Sequence, residues 1–198
     1  AKELIEKAIS FLPPVDAWLH IDVGDGKFSS ITTWGNPGEF LSLKTLVNVE
    51  VHLMVEDNRG PANDWLRAGI QRLIVHLEGK TTPDQWLEPC RRQGVELMLA
   101  ISPETEVEKL EPYFPEIHAF QILAVNPGQA GQSFQKATLG KIGFLRARCL
   151  DAKIEVDGGI DLATAQLAKK AGADFLVSAS YIFNSKDPDG AYRELAGA

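Results

Sequence analysis

Seven short, β-rich apolar runs recur along this chain of 198 residues, with helix-patterned stretches between them, and this alternation restricts the fold more than any other feature. The runs are AWLHIDV, VNVEVHLMV, RLIVHLE, VELMLAI, AFQILAV, KIEVDGG and DFLVSAS. Their starts lie roughly 22 to 34 residues apart, too far for hairpins and far enough for a crossover helix. Parallel strands with right-handed connections are therefore predicted, and a β-sandwich is excluded. Between the runs, Leu139, Ile142, Leu145 and Cys149 recur at helical spacing, as do Leu162, Ala165, Leu167 and Ala168 behind an Asp161 N-cap. Gly69, Gly94 and Gly172 stand where helices should hand over to strands. The opening stretch, AKELIEKAISFL, places Leu4, Ile5, Ala8, Ile9 and Leu12 on one helical face.

No Pro/Gly/Ser-rich linker or shift of composition divides the chain, so residues 1–198 read as a single domain. An open doubly wound sheet would carry a glycine-rich turn after its first strand, and GDGKFS lacks the third glycine. The other large α/β architecture is the (β/α)8 TIM barrel, which needs at least roughly 200 residues. At that limit, with a helix leading the first run, the expectation is a barrel lacking its first β-strand in this chain.

Lys plus Arg number 20 against 27 Asp plus Glu, and no basic run is present to follow a phosphate backbone, so nucleic acid is not an expected partner. The opening stretch mixes both signs of charge, unlike an export signal, and no apolar run is long enough to span a membrane. Cys90 and Cys149 form no Cys-x-x-Cys motif and read as small apolar residues, compatible with a reducing cytoplasm.

Alternate strand residues share a face, so His20 pairs with Asp22, His52 with Met54, and Glu155 with Asp157. A polar interior group without a partner costs about 1–3 kcal/mol, so these groups must satisfy one another. A divalent metal would do so, with His20, Asp22, His52 and Asp157 as ligands at the C-terminal ends of strands, where barrel active sites are built. Glycines cluster at the same end: NPGQAGQSF after the fifth run, then DGG, then the SAS turn. Backbone N–H groups in such loops can approach an anion closely, which makes them candidate phosphate cradles.

The stretches LHIDVGDGKF, VHLMVE, IVHLE, AISPETEVEKL, VNPGQAGQSF, IEVDGGI and AGADFLVSASYIFNSKDP, in this order, resemble the ribulose-phosphate 3-epimerase family. The resemblance runs from about Trp18 to Pro188 and implies an α/β barrel of pentose-phosphate metabolism that interconverts D-ribulose 5-phosphate and D-xylulose 5-phosphate with a divalent metal. It implies Asp22 and Asp157 as the acid/base pair working through a C2–C3 enediolate, and His20, Asp22, His52 and Asp157 as ligands of zinc, with iron, manganese or cobalt as other candidates. Substrate and phosphate contacts are implied for His52, Gly128, Gln129, Ala130, Gly131, Gly158, Gly159, Ala179 and Ser180. His76, Glu78 and Glu155 are implied as supporting groups, and His118 as a surface residue. A homo-oligomer is expected.

Several positions depart from the family pattern. Gly24 stands for a methionine between two aspartates, Ser29, Ser30 and Ile31 replace Val-Pro-Asn, and Ala130 and Ala179 replace glycines. These changes keep two other readings in play, a 3-epimerase of a related ketose phosphate and a non-catalytic sugar-phosphate-binding barrel. A phosphosugar decarboxylase is disfavoured, because its Asp-x-Lys-x-x-Asp pattern is absent around Asp22 and Asp25.

Overall fold

A computed structural model describes residues 2–13, 17–43, 45–128 and 131–197. The chain forms two compact units, Ala1–Leu97 and Met98–Ala198. The first contains α1 (Lys2–Phe11), β1 (Trp18–Gly24), α2 (Pro37–Leu41), β2 (Asn48–Met54), α3 (Arg59–Arg67), β3 (Arg72–His76) and α4 (Asp84–Gln93). β4 (Glu96–Ile101) begins at its end. The second unit continues with a 3-10 segment (Val107–Tyr113), β5 (Ala119–Leu123), α5 (Thr138–Arg148), β6 (Lys153–Asp157), α6 (Leu162–Ala171), β7 (Phe175–Val177), α7 (Ser180–Phe183) and α8 (Pro188–Ala196). Each of the seven apolar runs is thus a strand.

In the first unit β1, β2 and β3 pair in parallel and in chain order. β4 to β7 pair the same way in the second. A parallel strand covered on both faces has no solvent side, which is why Val49, Val51 and Leu53 alternate with Glu50 and His52 in β2 and all five are buried. The polar members of such a strand must bond to one another, and that requirement shapes the site.

The boundaries follow the local chemistry. Gly94 and Gly172 end α4 and α6 in the left-handed conformation, where a side chain would be strained. Asp161 caps α6 by accepting from the Thr164 N–H, while the Thr164 hydroxyl accepts from the Asp161 N–H. Two expected apolar faces are narrower than their spacing suggests. α1 buries Ile5 and Ala8 but leaves Leu4 51% exposed, because a side chain in the first turn projects back past the helix start. α6 buries only the small Ala165 and Ala168; Leu167, at 37% exposure, points away from the stripe that they form.

Trp65 of α3 anchors the first unit, with its ring edge-on to Trp34 at 6.3 Å and tilted against Phe40 at 5.5 Å. In the second unit Lys141 holds the loop after β4 by donating to the carbonyls of Ser102, Pro103 and Thr105. Arg146 of α5 donates to the carbonyls of Ala152 and Gly172 and to Asp174, fixing the turn between α6 and β7. Cys90 is buried, which pushes its thiol up to about 12, so it is chemically quiet. Among the described residues, no helix is long and apolar enough to cross a membrane.

Trp65→Ala removes a fully buried tryptophan from the first unit, and a loss of about 3–5 kcal/mol is expected, read as a lower urea midpoint by circular dichroism.

Candidate metal and active site

The parallel register of the first unit lays its polar residues in rows. His20 of β1 lies beside Glu50 of β2, and Glu50 beside Arg72 of β3; one step further along, Asp22 lies beside His52. Neighbours in a row share a face, so backbone pairing alone brings these side chains together.

Two chains of contacts result. In the first, His20 Nδ1 lies 2.8 Å from Glu50 Oε1, Arg72 Nη1 donates to Glu50 Oε2 at 2.5 Å, and Arg72 Nε donates to Glu96 Oε2 at 2.8 Å. The Arg72 guanidinium also sits 4.0 Å from the Trp18 ring centre. In the second, His52 Nδ1 lies 2.9 Å from Asp22 Oδ1, His52 Nε2 lies 2.9 Å from His76 Nε2, and His76 Nδ1 lies 2.9 Å from Glu78 Oε2. The chains meet at Asp22, whose Oδ1 is 3.3 Å from His20 Nε2.

The electrostatics follow from these partners. Burial works against a charged His20, but the carboxylates of Asp22 and Glu50 outweigh it and raise the imidazole well above its ordinary value. His52 goes the other way: burial, with His76 and His20 adding to it, overrides Asp22 and lowers it to about 4. Burial would lift Asp22, yet His20 and His52 hold it well below the usual carboxylate range. Glu50 is likewise held down, against burial, by His20 and Arg72.

A nitrogen of each histidine and an oxygen of Asp22 converge within 4.8 Å of one another, close enough for one ion to touch all three. Two imidazoles and a carboxylate suit zinc and its first-row neighbours. The chemistry of the set fits such an ion: a cation in place of the shared protons would satisfy every group that faces Asp22 Oδ1.

In the second unit Asp157 ends β6, with Leu123 and Val177 as its neighbours in register. Glu155, two residues earlier on the same face, is buried and accepts from Gln121 Nε2 at 3.0 Å. Gly158 and Gly159 follow with φ of +104° and +66°. A Cβ on Gly158 would lie 2.3 Å from Val125 Cγ2, and one on Gly159 2.5 Å from the Phe134 nitrogen, so only glycine lets these loops pack so closely. Gly128 and Gly131 also have positive φ, Ala179 caps α7, and Ser180 opens it. Gln129 and Ala130 lie outside the described residues. His118 is exposed, as expected.

The loop after β1 explains one departure. Asp25 bridges to Thr32, Thr33 donates its hydroxyl to the Asp22 carbonyl, and the Gly26 N–H donates to the Ile31 carbonyl, folding residues 24–33 into a short hairpin. A Cβ on Gly24 would meet the Ile31 oxygen at 2.5 Å, so glycine at 24 and the Ser29–Ile31 sequence form one structural unit.

Sequence reasoning paired the histidines and aspartates but missed Glu50 and Arg72. Both signals were present: Glu50 precedes His52 by two residues in VEVH, and Arg72 precedes His76 by four in RLIVH, each on a common strand face. It also missed Asp25, which accepts from the N–H groups of Lys27, Phe28 and Glu56 and ties the loop after β1 to the end of β2.

Near neutral pH the metal-free protein carries a protonated His20, so cation uptake must displace its proton. Calorimetric titration with Zn2+ at pH 7, in buffers of different ionisation enthalpy, is expected to show release of about one proton per ion, with affinity rising as pH rises. Uptake with no proton release would contradict the displacement.

The model for the ribulose-phosphate 3 epimerase family matches residues 5–183. A ribulose-phosphate 3-epimerase of Chlamydia pneumoniae is 38% identical over 176 residues, covering 85% of this chain and 76% of that protein. One of Treponema pallidum is 33% identical over 186 residues, covering 91% and 85%. Among solved structures, a 3-hexulose-6-phosphate synthase superposes with a TM-score of 0.74 at 16% identity, covering 99% of this chain and 93% of that one. The KGPDC of Streptococcus mutans gives 0.69 at 16% identity, covering 100% and 91%. These distant likenesses establish the fold, and the closer relatives establish the family. The chain belongs to the ribulose-phosphate 3-epimerase family, carbohydrate isomerases of the α/β-barrel class, here with seven parallel strands among the described residues.

Proposed function

We propose that this chain interconverts D-ribulose 5-phosphate and D-xylulose 5-phosphate by moving a proton at C3. The observation that carries the reading is the meeting of His20 Nε2, His52 Nδ1 and Asp22 Oδ1 across two adjacent parallel strands, in a chain of an epimerase family.

Inverting C3 requires removing the proton from the carbon beside the C2 carbonyl and returning one to the opposite face. Asp22, held ionised by the two histidines, is in the state that accepts a proton. As the C3–H bond breaks, its electron pair moves into an enediolate over C2 and C3. Asp157 then delivers a proton to the other face of C3, and in the reverse direction the two aspartates exchange roles. His20, Asp22, His52 and Asp157 would hold a divalent ion, zinc foremost and iron, manganese or cobalt as alternatives, which would supply positive charge against the developing negative charge. The phosphate is assigned to Gly128, Gln129, Ala130, Gly131, Gly158, Gly159, Ala179 and Ser180. The positive φ of Gly128, Gly131, Gly158 and Gly159 supports this assignment.

The same reading takes residues 1–198 as one functional domain, supported by the family match running through both units. It takes the protein as a homo-oligomer of the cytoplasm, the location supported by the two free thiols. A second reading, epimerisation of a related ketose phosphate, is favoured by the Gly24–Ile31 hairpin, which replaces a side chain next to Asp22 with backbone.

Deuterium uptake at C3 of ribulose 5-phosphate in D2O, followed by NMR, tests the proposal. Metal-loaded protein should exchange, chelated protein should not, and Asp157→Asn should lower turnover by about 10²–10⁴-fold while keeping the fold. Binding of the phosphosugar without exchange would support the non-catalytic barrel, and faster exchange with another ketose phosphate the second reading.

A further inference from the structure

We infer that Thr33 is a positioning residue, whose hydroxyl clamps the backbone on both sides of Val23 and so sets where the Asp22 carboxylate meets His20 and His52. This role deepens the epimerase reading above and rests on it.

Asp22 and Gly24 stand two residues apart near the end of β1, so their backbone groups turn to the same edge of the strand. On that edge the Thr33 hydroxyl donates to the Asp22 carbonyl at 2.5 Å and accepts from the Gly24 N–H at 2.8 Å. A parallel strand lying there would meet the same two groups with one residue, giving its N–H to the carbonyl and its C=O to the N–H two residues on. A hydroxyl carries one donor and two acceptor sites, so a single atom of Thr33 does the work of that residue. Thr33 thus stands in for a ladder partner at the point where β1 delivers its carboxylate.

The hydroxyl is itself placed by backbone. The Thr33 N–H donates to the Gly24 carbonyl at 3.1 Å, at the base of the 24–33 hairpin. Two residues on, a Cβ on Gly35 would lie 2.8 Å from Val23 Cγ1, so the chain leaving Thr33 stays pressed against β1. Asp22 has to reach two imidazoles, His20 Nε2 at 3.3 Å on its own strand and His52 Nδ1 at 2.9 Å on the next. A shift of the end of β1 therefore changes its approach to one ring relative to the other. At reacting groups a displacement of about 1 Å costs on the order of 100-fold in rate.

Thr33→Val removes the hydroxyl at nearly constant shape, whereas Thr33→Ser keeps it. In the exchange assay at C3 of ribulose 5-phosphate, kcat per folded molecule should fall about 10–100-fold in Thr33→Val while KM stays within about 3-fold, and Thr33→Ser should return kcat to within about 3-fold of the parent. Hydrogen exchange of the Gly24 amide, followed by NMR without metal or substrate, should quicken in Thr33→Val and slow again in Thr33→Ser. A merely structural Thr33 would lower the urea midpoint and leave kcat per folded molecule as it is. Parent-like kcat or parent-like Gly24 exchange in Thr33→Val, or a loss that Thr33→Ser does not restore, would overturn the inference. A parent that exchanges no proton at C3 would instead overturn the epimerase reading on which it rests. Should Thr33→Val fail to fold, Thr33→Cys takes its place, because a thiol is a weak donor and a weak acceptor: a fall in kcat at unchanged KM is expected, and parent-like kcat overturns the role.

Discussion

A carboxylate flanked by two imidazoles organises the first unit. Asp22 Oδ1 draws His20 from its own strand and His52 from the next, and each histidine needs a partner for its other nitrogen. Glu50 serves His20 and is itself held by the buried Arg72. His76 serves His52 and is held by Glu78. Because one support comes from below the Asp22 row and the other from beyond it, the two rings offer different nitrogens, Nε2 and Nδ1, to the same oxygen. Removing any support would leave a buried polar group exposed to the full penalty of desolvation.

Much of the fold was legible in the sequence because its signals are local. A strand buried on both faces writes itself as an apolar run, and a crossover helix as a spacing, so the seven runs became seven strands. Helix ends were legible for the same reason, at Gly94, Gly172 and Asp161. What was lost was the extent of contact. Leu4 and Leu167 satisfy a helical pattern yet lie outside the buried stripes, because a repeat tells which residues share a face but not how wide the facing surface is.

The site was legible in its donors and in His76 and Glu78, and not in Glu50 and Arg72. Histidine and aspartate on alternate strand positions announce themselves, since they break an apolar face. Glu50 and Arg72 break it equally, but their roles depend on which strand lies beside which, and in what register, which is a property of the folded sheet. The rows of side chains across β1, β2 and β3 only exist once the strands are paired.

The hairpin after β1 carries a consequence for how this chain can diverge. Position 24 and the carbonyl of Ile31 occupy one space, so they cannot vary independently. Any larger residue at 24 is closed off while residues 29–31 keep their present path, and a change in that path leaves a gap unless position 24 grows. The two stretches form an epistatic pair: exploration of the wall beside Asp22 must proceed through coordinated changes, with the loop moving first and the side chain following.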